Sequence, residues 1–186
     1  MTFPWDELNI IRTKIEELVV GYEYGGEKRR HIPAKECEDI ILEFLIDSYL
    51  MGSDYVTGMF GHEPITPDTE EMFDSVYRKV AGKNFVERVS EYCKTGAVED
   101  IMRVAETDSH RVFNDSELRT AKKVGASTKT WNCMFVNSRD THMYLHGTTV
   151  PIDAEFYTFM GNHAEYPGQF GVAEEDCNCH CWLTFK

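Results

Sequence analysis

The hydrophobic period changes once along this chain, and the change limits the folds open to it. Up to about Val112, apolar residues return every three or four positions, the spacing of one helical face. Past Gly125 they return every second position, the spacing of one face of a strand. Leu8, Ile11, Ile15, Leu18 and Val19 predict a helix from Asp6 to Val20, closed by Gly21, Gly25 and Gly26. Ile40, Ile41, Phe44, Leu45 and Tyr49 predict another from Ala34 to Leu50, continuing toward Phe60, with Cys37 packed as a small hydrophobe. Thr66 is expected to cap a third, with Pro67 at its first position, a buried stripe of Met72, Phe73, Val76, Tyr77 and Val80, and Gly82 at its end. Two further helices carry Phe85, Val89 and Tyr92, then Val98, Ile101, Met102, Ala105 and Val112.

After the switch, Trp131, Cys133 and Phe135 alternate with Thr130, Asn132 and Met134. Asn137 or Ser138 is placed to cap a short helix that runs to His146 and ends at Gly147. Val150-Pro151 opens a loop delivering Phe156, Tyr157 and Phe159, and Cys181, Leu183 and Phe185 share a strand face. The expected fold class is α+β: a helical bundle, residues 1–96, followed by a small module of helix and antiparallel sheet, residues 97–186.

Thirty-two acidic residues against nineteen basic ones leave a net charge of −13. Phosphate binding draws on Lys and Arg, so the balance argues against a dedicated nucleic-acid binder. The one basic cluster, Lys28-Arg29-Arg30-His31, reads as a solvated loop. No apolar run approaches the roughly 20 residues that span a bilayer, and the first residues lack a signal peptide, so a cytoplasmic origin is expected. There the six cysteines should be thiols or metal ligands rather than disulfides.

Chemistry concentrates near the end of the chain. Cys177, Cys179 and Cys181, with His142 as partner and His146 and His180 nearby, are the candidate zinc ligands; a packed thiol cluster that holds no metal is the other reading. A catalytic reading takes His142 as base, Asp140 or Glu155 as its orienter and a cysteine as nucleophile. In the helix before the switch, Glu106 can reach His110, and Asn114 can cap a helix starting near Asp115. Alternatively Glu106 or Arg111 turns inward, toward the Lys129–Trp131 strand and the Arg139–His142 turn.

The ordered set Glu106, Arg111 and Asn114, then Lys129 and Trp131, then Arg139, His142 and Gly147, then Phe156, then Pro167-Gly168, then Asn178, Cys179 and Cys181 resembles the phage minor head, or head-morphogenesis, family typified by the F protein of phage Mu. The likeness runs from about Ile101 to Phe185. His180 stands where the family usually has a basic residue between the last two cysteines, and Cys177 is an addition. The resemblance implies a structural, non-enzymatic component of a tailed-phage head, built in the host cytoplasm and oligomeric within the virion. Its partners would be the portal protein, the major capsid protein or other virion proteins, without a membrane or a required cofactor. Trp131 and Phe156 would then be core anchors, Arg139 and His142 hydrogen-bonding ties, and Cys179 and Cys181 packed thiols or ligands. The alternatives from other classes are a zinc-dependent hydrolase, a toxin-like transferase module and a cytoplasmic adaptor.

Overall fold

A computed structural model describes residues 5–136 and 138–186. The fold is α+β, with a helical first part and small antiparallel sheets after it. Helices α1 (Trp5–Glu17), α2 (Ala34–Phe60), α3 (Thr69–Val76), α4 (Phe85–Cys93) and α5 (Val98–Lys123) precede strand β3 (Thr128–Asn132). Past it come α6 (Asp140–Leu145), β4 (Thr149–Pro151), β5 (Phe156–Tyr157), β6 (His163–Ala164), α7 (Ala173–Asp176) and β7 (Trp182–Phe185).

The long pair α2 and α5 is the spine. Their close approach is set by small residues: a Cβ on Gly52 would lie 2.6 Å from the Phe113 carbonyl oxygen. Ser116 Oγ donates to the Tyr49 carbonyl at 2.5 Å, and Thr120 meets Ser53 at 3.1 Å. An apolar core of Ile11, Ile15, Ile41, Leu45, Phe85, Val89 and Ile101 lies at one end of this pair. Cys37 is packed inside it. A second core gathers Val56 from α2 and Leu118 from α5 around Trp131, Leu145, Phe156 and Leu183. The sheet under it has the order β4-β3-β7, antiparallel throughout.

Several local expectations change. Gly25 and Gly26, at φ of +61° and +80°, do more than end α1: they turn a hairpin between β1 (Val20–Tyr24) and β2 (Glu27–His31). Consecutive positive φ values are what a tight two-residue hairpin turn requires. The basic cluster is therefore an exposed strand rather than a loop. Helix α3 is capped by Asp68, whose carboxylate accepts from the Glu70 and Glu71 amides, not by Thr66; it stops at Val76, and Phe73 and Tyr77 stay substantially exposed. Helix α5 runs unbroken past Asn114, which is thus no cap. Strand β3 ends at Asn132 because Phe135, at φ +62°, turns the chain outward. The cap position of α6 is Arg139 rather than Ser138, and Asn137 lies outside the described residues. All six cysteines are free thiols. Among the described residues, no helix is long and apolar enough to cross a membrane.

Candidate functional site

The second half of α5 is buried on nearly all sides, yet it carries Asp108, His110, Arg111, Asn114, Asp115 and Glu117. Polar groups there need partners, because a bare buried charge is costly. Arg111 donates through Nη1 to the Ser75 carbonyl at 2.8 Å and through Nη2 to Asp108 Oδ1 at 3.2 Å. Arg88 of α4 donates to the other Asp108 oxygen at 2.6 Å. The inward-turned arginine thus ties α5 to α3, rather than to the β3 strand. Asn114 Nδ2 donates to the His110 carbonyl one turn back, at 2.9 Å. Burial pushes the His110 imidazole down to about 4, so it is neutral.

The Tyr166-Pro167-Gly168 segment is a turn, closed by the Gln169 amide donating to the Tyr166 carbonyl at 3.3 Å. Gly168, at φ +89°, lies flat against Arg111, where an added Cβ would meet the arginine Cβ at 3.0 Å. Two motif members far apart in sequence are therefore one packing contact.

Strand β3 sends Lys129 and Trp131 inward. Trp131 is fully buried, edge-on to Phe156 with ring centroids 5.2 Å apart, and is also flanked by His142 and Phe170. The Gly147 amide donates to the Trp131 carbonyl at 2.8 Å, which explains a glycine, at φ +77°, just beyond α6. Lys129 Nζ sits 5.6 Å over the Phe156 ring with no hydrogen-bond partner, and burial pushes its ammonium down to about 8.

Helix α6 turns His142 into the interior. Its Nδ1 is 3.5 Å from both Cys179 Sγ and Cys181 Sγ, and its Nε2 is 3.1 Å from Glu175 Oε2. Glu175 is itself held, accepting from Thr141 Oγ1 at 2.8 Å and Asn162 Nδ2 at 3.0 Å. The Phe170 ring stacks on the imidazole, 5.4 Å away. Because Asn132 faces Trp182 across the β3–β7 ladder, Cys133 and Cys181 face each other just beyond it, with sulfurs 3.5 Å apart. Hydrogen bonds from Cys181 and His142 hold the Cys179 thiol well below its ordinary value, whereas the Cys181 thiol, beside that charge, is raised.

Cys177 stands apart from this group. Asn178 adopts φ +53°, a conformation Asn tolerates better than most residues, and it breaks the alternation that would have aligned Cys177 with Cys179. The Cys177 carbonyl instead accepts from Arg139. Glu106 pairs with His180 at 2.9 Å. Neither Asp140 nor Glu155 orients His142: Glu155 pairs with His163 at 3.1 Å, Asp140 is exposed, and the carboxylate behind the imidazole is Glu175. Cys133, Glu175, Asn162 and Asp108 escaped the sequence reading. Only Cys133 left a signal, as an inward position on a strand that also carries Trp131. A cleft of about 650 Å³ opens over the cluster, bordered by Glu106, Arg139, Asn178 and His180.

No family model and no solved structure matches the chain. Two curated proteins are similar to part of it. Minor head protein GP7 of Bacillus phage SPP1 is 31% identical over 86 residues, 44% of this chain and 28% of that protein. The NAD(+)--arginine ADP-ribosyltransferase EFV of Enterococcus faecalis is 38% identical over 85 residues, 43% of this chain and 17% of that protein. The chain therefore spans well under a third of either relative's length.

Proposed function

We propose that this protein is a structural minor head component of a tailed phage, positioned at the portal vertex or capsid interior and acting in head assembly or genome delivery. The observation that carries the reading is the likeness to the SPP1 minor head protein, taken with the convergence of the head-family residues on one buried junction of α5, β3, α6 and the terminal strand. We assign residues 97–186 to the head-morphogenesis module and residues 1–96 to attachment. Portal protein, major capsid protein or other internal proteins are the partners of the cleft and of the exposed Met134-Phe135-Val136 tip beside it.

The similarity to the ADP-ribosyltransferase gives some support to the alternative, a toxin-like transferase module, although the matched 85 residues are a minor part of that enzyme.

The test is mass spectrometry of particles purified from cells in which the encoding phage genome is induced, with pull-down of the portal protein by the full chain. The chain should sediment with heads and bind portal. Absence from particles, together with NAD-dependent modification of arginine by the purified chain, would replace this reading with the transferase one.

A further inference from the structure

We propose that Cys133, His142, Cys179 and Cys181 form a tetrahedral site for a soft divalent cation, zinc by the preference of that ligand set, which staples the terminal strand to β3 and α6. The proposal does not depend on the head-protein reading. It stands on two observations.

The first is spacing. Around a tetrahedral zinc, a bound nitrogen and sulfur stand about 3.5 Å apart and two bound sulfurs about 3.8 Å apart. His142 Nδ1 is 3.5 Å from each of the two sulfurs, and the Cys133 and Cys181 sulfurs are 3.5 Å apart. The donor atoms of His142, Cys179 and Cys181 all lie within 4.8 Å of one another. Cys133 touches Cys181 but lies outside that group of three, and a swing of its side chain onto the ion would complete four donors.

The second is the group behind the ligand. Metal-bound histidines hand their other ring proton to a carboxylate that fixes the tautomer. Glu175 Oε2 lies beside that position, 3.1 Å from His142 Nε2 but not yet aligned for a hydrogen bond, and is held there by Thr141 and Asn162, so that a small turn of the imidazole completes the pair. With the proton on Nε2, the Nδ1 lone pair points at the sulfurs.

Binding is a plain exchange: each of the three cysteines that still carries a proton gives it to solvent and each thiolate takes a bond to the metal, while His142 keeps its Nε2 proton and bonds through Nδ1.

The experiment uses the full chain without an affinity tag, purified under reducing, oxygen-free conditions. Elemental analysis should find one zinc per chain. After stripping with a chelator, titration with cobalt should give thiolate-to-metal charge-transfer bands and the ligand-field bands of a tetrahedral ion, saturating at one equivalent. This readout needs no substitution, so it stands even where a ligand variant fails to fold. Cys133→Ser should weaken cobalt binding at least tenfold, Glu175→Gln by about 10- to 100-fold, and Cys177→Ser not at all. A reduced chain that takes up no zinc or cobalt overturns the site, as does a disulfide among these cysteines in the oxygen-free sample. Full affinity in Cys133→Ser, or loss in Cys177→Ser, overturns the assignment of ligands.

Discussion

The two halves of helix α5 face two different kinds of interior. Its first turns bury Ile101, Met102, Val104 and Ala105 against α1, α2 and α4, in a core whose members are nearly all apolar. Its later turns bury Asp108, Arg111, Asn114, Asp115 and Glu117 beneath the loops around β3 and the terminal strand. Apolar packing is the simpler source of stability, and a buried ion pair often gains nothing over hydrophobic residues of similar volume. The residues on which the resemblance to the head family rests, Arg111, Asn114, Lys129, Trp131, His142 and Cys179, all belong to the polar half. The helical half is therefore a generic scaffold, and the second half spends stability on a particular arrangement of groups.

That contrast can be broken or sharpened by substitution. The largest effect is expected at Trp131, the aromatic anchor of the second core. Trp131→Ala should lower unfolding free energy in denaturant by about 3–5 kcal/mol, and a loss under about 1 kcal/mol would mean that this half is not organised around it. Asp108→Ala should cost about 3 kcal/mol, because it strands the buried Arg111 guanidinium and removes the partner of Arg88; near-neutral behaviour would erase the distinction between the halves. Lys129→Met should act in the opposite direction, stabilising the chain at pH 7 by about 2 kcal/mol. The sign follows from the ammonium, held at about 8 in the fold and ordinarily near 10.4. Below pH 8 both states carry the charge and the fold bears its full burial cost. As pH rises past 8 the folded chain releases its proton first, and wild-type stability should climb until about pH 10, a rise absent from Lys129→Met. The smallest effect belongs to the helical half: Ile41→Val should cost only about 1 kcal/mol.

How much of this could be read from sequence divides along the same line. The helical half was legible because its periodicity states directly which residues are inside, and α2 and the first turns of α5 follow it closely. The hairpin was missed because Val20–His31 buries nothing, so its alternation leaves no hydrophobic trace. In the polar half, proximity comes from register and turns. Asn178 rotates Cys177 away, and the β3–β7 ladder brings Cys133 to Cys181, yet neither event has a local spelling. Glu175 lies on a four-residue helix that looks in sequence like one more acidic stretch of a strongly acidic chain.

Helix α5 has a mechanical consequence. At 26 residues it is about 39 Å long, and both cores are fastened along its length without a hinge. A pull on either end of the molecule is carried along a single strut to the other, and neither core can loosen alone without fraying the rod that the other grips. Such a chain should melt in one cooperative step, and under load it should behave as a rivet rather than as two tethered beads.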